Sequence, residues 1–178
     1  MKKPIFIILI SLSSLCLKAQ TNLDSLWGVW NDTAAKSEDR LTSINKLIFQ
    51  RYLFNDPDSA YILSVSMLEL ATATDSKTQI ANAIGRIAAS FYFKTEYDSA
   101  VYDYEKNITI YDELGEHHAG DSIYGNMGNM YADRGNYPKD IDYYMRGLKE
   151  NEKSGNQSVI ASKLNNIGIL HRDLNDTE

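Results

Sequence analysis

The 178-residue sequence holds one cysteine, three prolines and three histidines. Cys16 lies in an apolar amino-terminal run, so the chain beyond it has no thiol. That excludes a disulfide framework, cysteine-ligated metal and a thiol nucleophile from the body of the protein. Only Pro57 and Pro138 follow that run, and no low-complexity linker divides the chain. His117 and His118 are adjacent and point in different directions on a helix, with His171 far away in sequence. They read as solvated turn residues beside Gly120 rather than as a metal site. Strict alternation of apolar and polar residues is missing, which argues against strands.

Long apolar runs are equally scarce. One spans residues 5–17 behind Met1-Lys2-Lys3, and Lys18-Ala19-Gln20 ends it. A basic start, an apolar core and a small residue before a polar one form the pattern of a secretory signal peptide. Cleavage is expected after Ala19, giving an exported chain on the periplasmic or extracellular side of a bacterial membrane. An uncleaved anchor is the alternative, although the run is shorter than the roughly 20 residues that a bilayer requires. Leu15 precedes Cys16 where a lipid-attachment site wants Gly, Ala or Ser. Beyond residue 19 no second run is long enough to span a membrane. Without Lys2, Lys3 and Lys18, 15 basic side chains face 24 acidic ones, a net charge of −9. An acidic, unclustered balance disfavours nucleic acid and anionic lipid as partners.

What the sequence does have is a repeat. Asp58-Ser59-Ala60 recurs as Asp98-Ser99-Ala100, 40 residues on, and a further step of 40 lands on Pro138-Lys139-Asp140. The same step pairs Tyr97 with Tyr137, Tyr104 with Tyr144, Ile108 with Leu148 and Gly115 with Gly155. It also carries Asn126-Met127-Gly128 onto Asn166-Ile167-Gly168. Tyr137, Ile141, Tyr144 and Leu148 follow steps of four, three and four, one apolar stripe of an α-helix, and Ala100, Tyr104 and Ile108 keep that face one unit earlier. Glycines at 115, 135 and 155 mark the breaks between helices, and Pro57 is placed to begin one. Each unit therefore reads as two helices that bury their stripes by stacking on neighbours. About three and a half units run from residue 41 to 178, the last one truncated. Residues 20–40 form a capping helix, expected at 22–33 with Trp27 and Trp30 as core anchors, and a linker.

On these residues the sequence resembles the tetratricopeptide repeat family. The motif's large apolar residue and glycine, its aromatic three residues later, and its Gly-x-Tyr turn stand here as Met127-Gly128, Tyr131 and Gly135-Asn136-Tyr137. Its second-helix positions fall on Ile141, Tyr144 and Gly147-Leu148, and a looser copy holds Ile87-Ala88, Phe91, Tyr97, Ala100 and Tyr104. Asn166-Ile167-Gly168 and His171 begin another copy. The unit of 40 exceeds the family's usual 34 and matches the length of HEAT and armadillo units. The glycine and tyrosine placements favour a tetratricopeptide unit with lengthened helices, similar to those in exported repeat regions of Bacteroidetes signalling proteins. The resemblance implies an all-α, right-handed α-solenoid of antiparallel helix pairs that binds a protein or peptide on its concave side.

In the family's register Gly125, Asn129, Ala132 and Asp133 face that concave side. The 40-residue shift adds Gly85, Ala89, Tyr92 and Phe93 before them, and Asn165, Ile169, Arg172 and Asp173 after. Asparagine side chains there can satisfy an extended peptide backbone. Gly125 and Ser162 occupy the lysine positions of the family's carboxylate clamp, so that ligand is not expected. In such signalling proteins the repeat region precedes a membrane helix and an adenylate cyclase, a histidine kinase or a DNA-binding output. Residue 178 falls before the second helix of its unit, so a longer parent with its output beyond that point is expected. A free periplasmic scaffold is the alternative.

No catalytic, cofactor or metal site is expected in these residues. Gly125, Gly128 and Gly135 follow no strand, only Asp121-Ser122, read as a helix cap, so they are not a phosphate loop. No Gly-x-Ser-x-Gly elbow or His-Glu-x-x-His helix occurs. Carboxylate pairs such as Asp112-Glu113 read as solvated helix surface. Asn31, Asn107, Asn156 and Asn175 begin glycosylation sequons that matter only in a eukaryotic secretory pathway.

Overall fold

The computed structural model describes the backbone of residues 22–154, and the side chains there apart from 117–122 and 151–154. All regular structure among the described residues is helical. Helix α1 covers residues 22–31. It is followed by α2 (Ser37–Leu47) with a π-helical extension (Ile48–Tyr52), α3 (Pro57–Ala73) and α4 (Lys77–Phe93). Helices α5 (Tyr97–Leu114), α6 (His117–Asp133) and α7 (Tyr137–Ser154) complete the order.

From α2 onward the helices begin at residues 37, 57, 77, 97, 117 and 137. One helix and its turn therefore occupy 20 residues, and the 40-residue period of the sequence is two such steps. Asp75, Thr95, Gly115 and Gly135, also 20 apart, have φ between 50° and 70°. After each of them a backbone N–H reaches back five residues, as in Ser76 to Ala71 (3.0 Å), Glu96 to Phe91 (2.9 Å), Glu116 to Tyr111 (3.0 Å) and Asn136 to Tyr131 (2.8 Å). This left-handed closure satisfies carbonyls that a helix end leaves orphaned. Glycine takes the conformation freely, whereas a residue with a Cβ pays roughly 1–2 kcal/mol for it, so Thr95 is a strained joint.

The turn at 53–56 is made differently. The Leu53 N–H bonds the Ile48 carbonyl at 2.9 Å, a π-type closure, and the Asp56 N–H bonds the Tyr52 carbonyl at 2.7 Å. The Asp56 carboxylate then caps α3, accepting from the Ser59 N–H (3.1 Å) and Oγ (2.6 Å), with Pro57 in the first turn. Asn136 Oδ1 accepts from the Lys139 N–H (3.3 Å) in the same manner at the start of α7.

Helices pack as antiparallel pairs, α2 with α3, α4 with α5 and α6 with α7, and each pair rests on the next through α3–α4 and α5–α6. Leu41, Ile44, Leu47, Ile48, Met67, Ala88, Ala100, Tyr104, Met127 and Met130 line one continuous core. Two ion pairs explain why the aspartate of the Asp-Ser-Ala stretch recurs. Lys94 reaches Asp58 at 2.9 Å, and one unit on Arg134 reaches Asp98 at 3.5 Å. Both pairs are solvent-exposed and worth little individually. Helix α1 lies over the first pair: Trp27 meets Tyr52 edge-on at 6.3 Å, and the Arg40 guanidinium covers the Trp30 ring at 5.2 Å. Arg40 Nε also donates to the Trp30 carbonyl at 3.0 Å.

Two expectations change. Asp121 and Ser122 do not cap a helix, because α6 starts at His117 and carries both within it. Tyr137, assigned to packing, is 41% exposed, whereas its counterpart Tyr97 is covered by Tyr92 (6.1 Å) and Arg134 (5.5 Å). The residue equivalent to Tyr92 is Ala132, too small to shield Tyr137. Asn107, the head of a sequon, is buried and closed to modification. Gly155, Asn165, Gly168, Ile169, Arg172 and Asp173 lie outside the described residues.

Candidate functional site

Helices α2, α4 and α6 are the first helices of their units, and side-chain bonds about 40 residues apart tie them together. Gln79 Nε2 donates to Glu38 Oε1 (2.6 Å), Arg86 Nε to Asn45 Oδ1 (2.6 Å), and Tyr92 Oη to Asp133 Oδ2 (2.5 Å). Each bond spans the groove between successive first helices. Tyr92 and Asp133 therefore brace this groove, and burial together with Asp133 pushes the Tyr92 hydroxyl pKa well above its usual value.

Other residues of the expected concave face divide into open and covered positions. Gly125 has nothing within 4 Å of an added Cβ, so it borders open space. Asn129 and Phe93 are exposed, and Asn129 Oδ1 accepts from Tyr144 Oη at 2.5 Å. Ala89, by contrast, is buried in the core and presents nothing to a partner. Gly85 is also covered, because an added Cβ would lie 2.6 Å from the Asn107 amide. With its amide oriented to donate to the Ala81 carbonyl (3.0 Å) and accept from the Gly85 N–H (3.2 Å), Asn107 docks α5 onto the α4 backbone. A glycine is needed there for that close approach.

Between α4, α5 and α6 the groove deepens into a cleft of about 240 Å³. Asn82, Gly85 and Arg86 form one wall, Ile123 and Asn126 the other, and Tyr104, Asn107 and Tyr111 the floor. Tyr111 Oη donates to Asn82 Oδ1 at 2.9 Å. The Arg86 guanidinium stacks 4.9 Å from the Phe49 ring centre, and desolvation lowers its pKa. Phe49, Phe54 and Phe93 continue from there as an exposed aromatic shelf, with edge-to-face contacts at 5.6 and 4.9 Å. Of these groups the expected face holds Gly85 and Phe93; Phe49 also falls in its register, one 40-residue step before Ala89.

The packing glycine Gly128 contacts the second helix of its own unit. An added Cβ would lie 2.8 Å from Asp140 Oδ1 and 3.1 Å from two Tyr144 ring carbons. Asp140 occupies the position held by Ala60 and Ala100 in the preceding units. It is fully buried, and neither carboxylate oxygen has a hydrogen-bond partner among the described residues. Burial, with Asp133 adding repulsion, pushes its pKa up to about 6. Among the other packing residues, Ala88, Ala100, Tyr104, Met127, Tyr131 and Leu148 are buried, Phe91, Tyr97, Ile141 and Tyr144 are half-buried, and Gly135 forms an exposed turn.

Among the described residues no group of three or more His, Cys, Asp or Glu is placed to hold a metal, and no helix is long and apolar enough to cross a membrane. The architecture is an all-α solenoid of antiparallel helix pairs of the tetratricopeptide type. No family model and no curated protein matches the sequence. Among solved structures, the TPR domain of Arabidopsis FLU is similar in fold, with a TM-score of 0.57 at 21% identity, covering 66% of this chain and 99% of that one. MamA aligns with 80% of this chain and 86% of its own at 19% identity, and its TM-score of 0.36 carries no weight.

Proposed function

We propose that the protein is a scaffold that binds a protein or peptide segment in the groove between its first helices. The observation that supports this most directly is the groove's lining. A polar cleft opens beside three exposed phenylalanines that contact one another edge to face. Exposed aromatic clusters of this kind mark interaction sites. The tetratricopeptide-type fold agrees with such a role, since a solenoid presents an extended surface rather than an enclosed pocket.

Gly125 offers a test that leaves the fold intact. Tryptophan there points into open space and has better helix propensity than glycine. Peptides selected from a random library on the unsubstituted protein should bind Gly125→Trp at least about tenfold more weakly, a loss of roughly 1.4 kcal/mol. Selected peptides indifferent to this change would place recognition elsewhere and sink the reading.

The finer proposal places this scaffold outside the cytoplasm, as the sensory or assembly region of a membrane-bound signalling protein. It rests on the signal-peptide pattern of residues 1–19 and on the sequence resemblance described above. Fusing residues 1–40 to a leaderless alkaline phosphatase should give an active periplasmic enzyme; an inactive, cytoplasmic fusion overturns export.

A further inference from the structure

The cleft holds two polar groups left unsatisfied among the described residues. The first is Arg86. Its Nε is bonded to Asn45 and its plane rests on Phe49, yet it has no ion pair among the described residues. Among the described residues no acidic side chain lines the cleft. The second is the Tyr104 hydroxyl, on a residue only 1% exposed and without a hydrogen-bond partner. Asn126 faces it from the α6 wall of the cleft and acts on it as a donor, leaving the hydroxyl proton without an acceptor among the described residues.

The repeat provides an internal control for that hydroxyl. One unit on, its counterpart Tyr144 donates to Asn129 Oδ1 at 2.5 Å. Ala89 stands where Asn129 would be, so Tyr104 loses the partner its equivalent has. A partly buried cation and a fully buried hydroxyl donor are costly when unsatisfied. Both are donors, they line one cleft, and their common complement is an anionic acceptor. A volume near 240 Å³ admits one side chain and no helix or strand.

Arg86 also fixes what lies beside that acceptor. Its guanidinium covers Phe49, where the Phe49–Phe54–Phe93 shelf begins. We propose that the cleft receives an aspartate or glutamate side chain of a partner polypeptide, whose neighbouring aromatic residue lies on the shelf. The carboxylate would take Arg86 and the Tyr104 hydroxyl. This inference rests on the groove reading above and adds the chemistry of the partner. The acidic balance of the chain as a whole gives such a segment no long-range attraction. Recognition then depends on contact, and salt should weaken it only modestly.

Two blocked tripeptides test this, acetyl-Phe-Glu-Phe-amide and acetyl-Phe-Gln-Phe-amide, titrated into the isotope-labelled protein and followed by nuclear magnetic resonance. The glutamate peptide should bind at least about tenfold more tightly. Arg86→Gln should abolish that preference while keeping the helical circular dichroism of the parent. Arg86→Lys, which keeps the charge, should retain part of it, and Phe54→Ala with Phe93→Ala should weaken both peptides together. Equal binding of the two peptides would overturn carboxylate recognition while leaving the groove reading intact. Failure of both to shift cleft resonances overturns the inference, whereas the library selection on Gly125→Trp decides the groove reading separately. Glutarate alone matching the glutamate peptide would show a small-acid site and sink the polypeptide partner.

Discussion

Asp140→Ala should stabilise the protein by about 2 kcal/mol at neutral pH and by much less near pH 4. The carboxylate is fully buried under Gly128 with neither oxygen partnered among the described residues, and its pKa is raised from 3.8 to about 6. A shift of two units corresponds to about 3 kcal/mol. Residues 137–139 beside it are exposed, so nearby solvent screens the charge and trims the expected gain. The sign follows from linkage. A carboxyl that binds its proton more tightly when folded favours the folded state as pH falls through 6 toward 4, and penalises it above 6. Urea unfolding of parent and variant at pH 4, 5, 6 and 7 reads the difference directly. A gap that stays constant across this range would mean that the carboxylate keeps an ordinary pKa and is satisfied in the folded protein.

Gly128→Leu should cost about 2 kcal/mol. Two terms compete, because leucine is favoured over glycine inside a helix by up to about 1 kcal/mol, while overpacking costs about 1–3 kcal/mol. Overpacking wins here because the first added carbon already meets Asp140 Oδ1 at 2.8 Å and the Tyr144 ring at 3.1 Å. Leucine then adds three further carbons in the same direction. The two sites are in contact, so their effects should not add. With Asp140→Ala in place, part of the obstruction is gone and the penalty for leucine should shrink. A thermal melt in which Gly128→Leu is more stable than the parent would show that helix propensity dominates and that Gly128 has no packing role.

The fold was legible because its signal is a spacing. Ala60 and Ala100, Tyr104 and Tyr144, and Ile108 and Leu148 fix a 40-residue register that any chain of stacked helix pairs must show. The finer step of 20 was hidden. Two of its four left-handed joints are glycines, but the others are Asp75, which tolerates that conformation without requiring it, and Thr95, whose branched side chain disfavours it. The groove was only partly legible. Register located the first helices and Phe93, yet it could not see that Asn107 folds over Gly85 or that Ala89 is sealed in the core. Arg86, Tyr104 and Asn126 meet across three helices, and such convergence has no trace in linear spacing. Asp140 could have been noticed: the register aligns it with two alanines, and a carboxylate in an alanine slot is a signal by itself.

The succession of equal steps has a mechanical consequence. Among the described residues every substantial helix contact joins elements one or two places apart along the chain. Such a row has no contact linking its ends, so load applied at one end passes through every joint in series. Stretch is shared as small tilts between neighbouring helices, much as in a coil spring. The gap between α4 and α6, braced by the Tyr92–Asp133 bond, would widen or narrow with that tilt. A partner lying across it and a force along the chain therefore act on the same coordinate, so occupancy would stiffen the row and tension would alter occupancy.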